Sequence, residues 1–255
     1  MNLYSHISTL ATHSKIRPYA VIDFDNTCIY NDVEEAFLAY LCEHHLLRNT
    51  LLLSTHYSST AEYHQKVFEK YYSYIDQNKI QEAYEFAAQM LAGYSAREIQ
   101  QLLDTVILFE GKKCTSRVLY GRTIARGLPI KPQTRKLLYY LQKKKIQVWF
   151  ISASAKVLVE HMVHRLFPKL EWKCLAIETV IKQGKYTTTL IRPTTTFAGK
   201  VWCIKKSIHP TQKPLLAVGD SSNDLPMLEY ATIPVVVKRG NALEQLARQR
   251  KWFLI

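Results

Sequence analysis

Three polar clusters contain the side chains best suited to chemistry, and each directly follows a short apolar run. They are Asp23-Phe24-Asp25 after 20–22, Ser152-Ala153-Ser154 after 146–151, and Gly219-Asp220 with Asp224 after 215–218. An apolar run that opens into a polar loop is typical of a buried parallel strand. Ligands bind at the carboxyl ends of such strands, so we expect the three clusters to meet in one crevice.

Several carboxylates gathered in one crevice need cationic partners, because burying unpaired charge is expensive. A divalent metal and a phosphate would explain the set, and Mg²⁺ prefers oxygen ligands. We predict that the carboxylates of Asp23 and Asp220 and the carbonyl of Asp25 bind the metal. Asp224, four residues after Asp220, is expected to support the site by orienting metal-bound waters or a lysine.

The same side chains predict nucleophilic attack on a phosphomonoester. Asp23 is the expected nucleophile and would pass through an aspartyl phosphate. Lys200 would neutralise the phosphoryl oxygens and keep Asp23 ionised, while Ser152 and backbone N–H groups such as that of Ala153 would bind the same oxygens. Asp25 is expected to protonate the leaving alcohol and later to accept a proton from the attacking water.

The elements that must hold these clusters alternate between helix and strand after Pro129. We predict helices over 133–145, 156–167, 200–207 and 242–249, strands over 146–151, 215–218 and 233–237, and strand–turn–strand over 174–190. This alternation favours an α/β fold with a doubly wound parallel sheet.

A different pattern occupies 32–104, where apolar residues recur at helical spacing and Gly93 is the only glycine between 31 and 110. We predict a mostly helical insert there, whereas 105–127 has no clear pattern. The expected division is a core over 1–30 and 129–255 and an inserted cap over 31–128.

In their order, the clusters resemble the motifs of the haloacid dehalogenase-like hydrolase superfamily. Asp23-Phe24-Asp25-Asn26-Thr27 resembles its first motif, Ser152 its second, Lys200 its third and 219–224 its fourth. The resemblance implies a Rossmann-like core, a cap between the first two motifs, Mg²⁺ dependence and contact between Asn223 and the substrate. The segments 149–154 and 192–200 resemble the phosphoserine phosphatase branch, which includes enzymes acting on phosphocholine or phosphoethanolamine.

The cap is where we expect specificity to reside. Phosphoserine phosphatases hold the substrate amine with a Glu soon after the first motif, and here Asp32 is near that position, followed by Glu34 and Glu35. Tyr30, Asp32 and Glu35 are therefore candidates for binding a small, amine-bearing phosphorylated metabolite. Carboxylates and tyrosines can together receive a cationic amine, and tyrosine is frequent in the cap: Tyr57, Tyr63, Tyr71, Tyr72, Tyr74, Tyr84 and Tyr94.

Charge is divided unevenly along the chain. Residues 1–110 carry a net charge of −7 and residues 111–255 a net charge of +20. The basic half can attract phosphorylated substrates, nucleic acid or an anionic membrane, or it can serve solubility alone. A phosphotransferase, a phosphoprotein phosphatase and a non-enzymatic binding protein remain open as alternatives. A dehalogenase is disfavoured, because those relatives lack the second aspartate, here Asp25.

The cysteines and the distribution of apolar residues indicate the cellular compartment. The five cysteines are odd in number and form no CxxC pair, which favours free thiols in a reducing environment. No stretch of 18 or more apolar residues occurs, and residues 1–18 lack a basic start followed by an apolar run. We therefore predict a cytoplasmic protein.

Overall fold

The chain is built around a parallel sheet, seen in a computed structural model that describes residues 2–13, 16–49 and 59–255. Its strands, in chain order, are β1 (Tyr19–Ile22), β2 (Thr115–Leu119), β3 (Arg122–Arg126), β4 (Gln147–Ala155), β5 (Trp172–Ile177), β6 (Thr179–Lys182), β7 (Lys185–Leu190), β8 (Leu216–Gly219), β9 (Ile233–Val236) and β10 (Phe253–Leu254). Its helices are α1 (Leu3–Thr12), α2 (Val33–Glu43), α3 (Thr60–Asp76), α4 (Ile80–Gln89), α5 (Ala96–Glu110), α6 (Pro132–Lys143), α7 (Lys156–Leu166), α8 (Ala198–Ser207), α9 (Leu225–Tyr230) and α10 (Ala242–Gln249). Tyr57 lies outside the described residues.

Within the described residues, the main sheet has the strand order β10-β9-β8-β1-β4-β5, and its pairings are parallel. Strand β1 is buried along its whole length, as expected for a strand covered on both faces by helices. It pairs with β4 on one side and with β8 on the other. The carboxyl ends of these three strands therefore lie side by side, and the predicted α/β fold is confirmed.

The predicted helical insert contains α2 to α5, and side chains that cap helix N-termini define where several of these helices begin. Asp32 caps α2, Ser59 caps α3, and Ser95 forms a capping box with Glu98 at the start of α5. The segment without a clear pattern, 105–127, holds the end of α5 and the antiparallel hairpin β2–β3. The proposed boundaries of the cap at 31 and 128 remain a prediction.

The strand–turn–strand prediction for 174–190 was only partly correct. The turn lies at Gln183-Gly184, both at positive φ, but the first half divides into two strands. Strand β5 joins the main sheet parallel to β4, and only β6 and β7 form the hairpin. Alternating polarity does not reveal this break, because a main-sheet strand and a hairpin strand can share the same local pattern.

Two elements near the chain ends complete the core. Helix α1 buries Leu3 and Ile7, and β10 extends the sheet beyond β9. Among the described residues, no helix is long and apolar enough to span a membrane.

Candidate active site

Asp23 is held at the point where β1 leaves the sheet. Its backbone N–H donates to the carbonyl of Val218 at 2.9 Å, which ties it to the end of β8. The chain then turns sharply through Asn26, whose φ of 56° lies in the left-handed region that asparagine tolerates. The carboxylate of Asp23 is almost fully buried, and one of its oxygens is already engaged by a lysine.

That lysine is Lys200, which is completely buried. Its Nζ donates to Asp23 Oδ1 at 2.8 Å, to Asp224 Oδ1 at 2.5 Å and to the Ile151 carbonyl at 3.1 Å. Burial alone would lower the pKa of Lys200, but the carboxylates of Asp224 and Asp23 raise it overall. Lys200 therefore stays charged and satisfied, as a buried cation must.

A close backbone approach in the first turn of α8 positions this lysine. A Cβ on Gly199 would lie 2.0 Å from the carbonyl oxygen of Thr194, so only glycine fits there. The side chain of Asn223 also holds the segment, because its Oδ1 accepts the N–H of Phe197 at 2.7 Å. Phe197 itself has a φ of 44°, which Asn223 helps to maintain.

Asp220 and Asp224 follow β8 on a short turn. Asp224 Oδ2 accepts the N–H groups of Asp220 and Ser221 at 3.0 and 3.3 Å, and its other oxygen accepts from Lys200. A Cβ on Gly219 would lie within 2.6 Å of the Asp224 carboxylate, so this packing also requires glycine. With both oxygens engaged, Asp224 is suited to supporting the site rather than to binding a metal directly.

Carboxylate oxygens of Asp23, Asp220 and Asp224 lie within 4.8 Å of one another. Burial, followed by the repulsion among these groups, raises the pKa of Asp23 well above its usual range, although Lys200 opposes the effect. Burial and Asp224 likewise raise the pKa of Asp220 to about 6, against the influence of Arg239. Hard oxygen donors with excess negative charge are the donor set that Mg²⁺ accepts, so the residues present fit such an ion.

Asp25 is surrounded by hydrogen-bond donors. Its Oδ1 accepts the N–H of Val33 at 2.7 Å, and its Oδ2 accepts from Ser154 Oγ at 2.7 Å and Ser152 Oγ at 3.3 Å. Burial and the nearby Asp32 nevertheless raise the pKa of Asp25 well above the usual range. A raised pKa favours the protonated form, which is the form that a general acid requires.

Several of these groups line one cavity of about 180 Å³, whereas Lys200 and Asp224 lie outside its wall. Its wall includes the catalytic candidates Asp23, Asp25, Ser152 and Asp220, and the predicted substrate contacts Ala153 and Asn223 also line it. Asn78, Ile80 and Tyr84 close it from the insert, and Arg239 lines it from the loop after β9. A volume of this size suits a small ligand.

The structure places neither Asp32 nor Glu35 in the cavity wall. Asp32 uses one oxygen to cap α2 and accepts the Tyr84 hydroxyl with the other at 2.7 Å. Glu35 accepts the Tyr72 hydroxyl at 2.5 Å. Asp32 therefore lies behind Tyr84, which lines the cavity, and direct contact of Asp32 or Glu35 with substrate remains a prediction. Tyr30 is likewise absent from the wall and lies under Lys131 Nζ, 4.7 Å from its ring centre.

Glu35 makes the stability of the fold depend on pH. Burial and Asp32 raise its pKa to about 7, above the value of about 4.3 in an unfolded chain. The folded state binds the extra proton between these values, so Glu35 lowers stability progressively as pH rises from about 4.3 through 7. We expect Glu35→Gln to raise the free energy of unfolding by about 1 kcal/mol at pH 8, or roughly 2–4 °C in Tm, and to change little at pH 4.5.

Thermal unfolding at both pH values checks this expectation. Glutamine keeps a carbonyl that accepts from Tyr72, so the variant removes the titration and not the hydrogen bond. Glu69→Gln, at an exposed position on α3, is the matched control. An equal change in Tm at both pH values would show that the titration of Glu35 does not matter.

Three further groups were not predicted from the sequence. Glu85 of α4 receives a bidentate ion pair from Arg192 at 2.6 and 2.7 Å and a hydrogen bond from Thr194 at 2.8 Å, which ties the insert to the segment before Lys200. Glu34 is buried, with Oε1 accepting the N–H of Ala155 at 3.1 Å. Arg239 contacts Asp220 directly. No local pattern marks these residues, although the resemblance had singled out the segment 192–200.

Comparison with known proteins agrees with this geometry. A family model described as haloacid dehalogenase-like hydrolase matches residues 20–229. A phosphorylcholine phosphatase from Pseudomonas aeruginosa is 26% identical over 242 residues, covering 80% of this chain and 68% of that protein.

Solved structures share the fold. A protein of unknown function from Bordetella pertussis has a TM-score of 0.70 at 18% identity, covering 94% of this chain and 99% of the other. A substrate-bound phosphoserine phosphatase has a TM-score of 0.58 at 15% identity, covering 95% and 94%. The expected likeness to the phosphoserine phosphatase branch is thereby confirmed at the level of the fold. Since the family match extends over most of the sequence, the chain belongs to the haloacid dehalogenase-like hydrolases.

Proposed function

We propose that this protein is a Mg²⁺-dependent phosphatase that hydrolyses a small phosphomonoester through an aspartyl phosphate on Asp23. One observation carries the proposal: Asp23 is ion-paired with a fully buried lysine and lies beside two further carboxylates, at the wall of a small cavity. A surface acid would have no need of such a partner. The relatives named as phosphatases support the same reaction.

The contacts of Asp23 orient its carboxylate and favour its ionised form. Lys200 engages Asp23 Oδ1, which orients the carboxylate and favours its ionised form against the cost of burial. The second oxygen of Asp23 is then the one that attacks phosphorus, with the P–O bond to the leaving alcohol breaking in line. Lys200 also bridges to Asp224, so one cation ties the attacking carboxylate to its supporting carboxylate.

Asp25 supplies the proton. Its raised pKa favours the protonated form, and Ser152, Ser154 and the Val33 N–H hold its carboxyl group in place. It donates this proton to the departing alcohol oxygen. As a carboxylate it then accepts a proton from the water that hydrolyses the aspartyl phosphate, which returns Asp23 and Asp25 to their starting forms.

Asp23 and Asp220 are the residues that would hold Mg²⁺, together with the Asp25 carbonyl, and Asp224 would support them. When bound, the ion supplies charge neutralisation at the phosphoryl oxygens. The residues here fit that role, because the three carboxylates of Asp23, Asp220 and Asp224 outnumber the two cations paired with them, Lys200 and Arg239. Ser152 and Ala153 also line the cavity, and we propose that the Ser152 hydroxyl and the Ala153 N–H bind the phosphoryl group.

We infer an amine-bearing substrate. Tyr84 lines the cavity, and its hydroxyl donates to Asp32, so the ligand meets an aromatic side chain with a carboxyl group behind it. Asp32, Glu34 and Glu35 are concentrated at the start of α2. A cation gains from both features, and phosphorylcholine, the substrate in the relative's name, carries one.

The ring of Tyr84 is expected to contribute to the preference for an amine-bearing substrate. We expect Tyr84→Leu to lower kcat/KM for phosphocholine by about 10-fold relative to an aryl phosphate, the size of a cation–π contact in a desolvated site. Tyr84→Phe keeps the ring and loses only the hydrogen bond to Asp32, so it should retain most of the preference. Equal losses on both substrates in Tyr84→Leu would contradict amine recognition by this ring.

A substrate panel tests the reaction itself. Phosphocholine, phosphoethanolamine, phosphoserine, sugar phosphates, nucleotides, a phosphotyrosine peptide and an aryl phosphate are assayed with Mg²⁺ and with a chelator, with and without an added alcohol acceptor. We expect Mg²⁺-dependent release of inorganic phosphate from the small substrates. Transfer to the acceptor would indicate a phosphotransferase. Turnover of the peptide alone would indicate a phosphoprotein phosphatase, against the size of the cavity. No turnover of any substrate would favour the binding-only alternative.

A further inference from the structure

The loop after β9 is hydrogen-bonded to the end of β8, where Asp220 lies. Val237 N–H donates to the Gly219 carbonyl at 2.9 Å, and Asn241 Nδ2 donates to the Asp220 carbonyl at 2.7 Å. Between these anchors, the N–H groups of Arg239 and Gly240 donate to Glu244 Oε2 at 2.9 and 2.8 Å. The backbone of Arg239 is thus held beside Asp220 by hydrogen bonds on both sides.

The guanidinium of Arg239 contacts Asp220 Oδ2, while Asp220 Oδ1 accepts from Thr27 at 3.3 Å. Arg239 is a cation at the wall of the same cavity as Asp23, and its side chain is 38% exposed against 5% for that of Asp220. The arginine can therefore swing outward, whereas the aspartate cannot follow it. Nothing in the proposed reaction yet requires this arginine.

Few carboxylate oxygens are free to take a divalent cation. Both oxygens of Asp224 are engaged by N–H groups and Lys200, and one oxygen of Asp23 is engaged by Lys200. A metal at this cluster must consequently draw on Asp220, the carboxylate that Arg239 occupies. Two cations on one buried carboxylate repel strongly, because the surrounding protein screens charge poorly.

From these contacts we propose that Arg239 competes with the divalent cation for Asp220 and thereby sets the affinity of the metal site. In the absence of the ion, Arg239 neutralises Asp220, and the bound ion would replace the guanidinium at that carboxylate. The inference rests on the proposed Mg²⁺ dependence of the site. It assigns the arginine a role in metal occupancy that is separate from the chemical step.

Calorimetric titration of the metal-free full chain with Mg²⁺ alone tests the competition. We expect Arg239→Ala to bind Mg²⁺ about 10-fold more tightly than the wild type, since a competing cation is removed. The metal-free variant should also melt at a lower temperature, and Mg²⁺ should raise its Tm by more than in the wild type. Lys238→Ala, which removes the same charge from the adjacent exposed residue, should bind within 2-fold of the wild type, roughly the scatter expected of screened surface charge.

Arg239→Gln provides a second neutral side chain, should the alanine variant fold poorly, and the same tighter binding is expected of it. Unchanged or weaker Mg²⁺ affinity in the neutral variants would overturn the inference, and the proposed phosphatase would stand. A wild-type protein that binds no Mg²⁺ would instead overturn the proposed metal dependence, and the inference with it.

Discussion

Replacing Asp23 by Asn is expected to lower kcat by roughly 10⁴- to 10⁶-fold, the range typical of removing a catalytic nucleophile. An amide cannot attack phosphorus to form an acyl phosphate. The fold should persist, because asparagine has nearly the same shape and its carbonyl can still accept from Lys200, as Asp23 Oδ1 does at 2.8 Å. Steady-state hydrolysis of the preferred substrate, with Tm as the measure of folding, provides the comparison.

Acid-quenched samples show directly whether the aspartyl phosphate forms. During turnover, the peptide that contains Asp23 should carry phosphate in the wild type and none in the variant. Asp76→Asn is the matched control, because Asp76 is an exposed aspartate on α3, and its turnover should equal that of the wild type. Turnover in Asp23→Asn within 10-fold of the wild type would rule out Asp23 as the nucleophile, given the far larger loss expected.

Replacing Lys200 by Met is expected to damage both stability and turnover. The change removes the shared cation of Asp23 and Asp224, which contact its Nζ at 2.8 and 2.5 Å in a fully buried setting. Leaving buried carboxylates without their partner costs about 3–5 kcal/mol, so we expect Tm to fall by about 10 °C. Turnover should fall to the level of Asp23→Asn, because the nucleophile then loses its orienting cation.

A second variant separates folding from catalysis. In Lys200→Met with Asp224→Asn, one buried charge is removed along with its partner, so much of the lost stability should return while turnover stays low. Lys205→Met, on an exposed turn of the same helix, controls for the loss of a lysine and should change Tm little. A fall in stability below about 1 kcal/mol for Lys200→Met, the range of an exposed pair, would show that this ion pair does not bear on the fold as argued.

The sequence determined the strands and the order of the chemical groups upon them. The apolar runs before Asp23, Ser152 and Asp220 predicted β1, β4 and β8, because residues buried on both faces of a parallel sheet must be apolar throughout. Adjacency of their carboxyl ends followed from the general behaviour of such sheets. The strand order β8-β1-β4 agrees with it. The helical insert was also predictable, because the spacing of apolar residues along a helix is a local pattern.

Tertiary structure decided most of the contacts between side chains. Lys200 and Asp23 are 177 residues apart, and their pairing was expected from the chemistry of the clusters and not from local periodicity. The pairing of Glu85 with Arg192 was not predicted at all. Asp32 carries a carboxyl group that could bind a substrate amine, yet its oxygens cap α2 and accept the Tyr84 hydroxyl. Arg239 gave no signal in the sequence, because its position depends on the loop that joins β9 to α10.

The physical reason for this division is the range of the interactions. Hydrophobic periodicity and N-caps act within a few residues, so the sequence displays them directly. Charge pairing, burial and pKa depend on atoms brought together only when distant segments pack. The sequence therefore determined which chemical groups this hydrolase carries, and the folded chain decided which of them face the cavity.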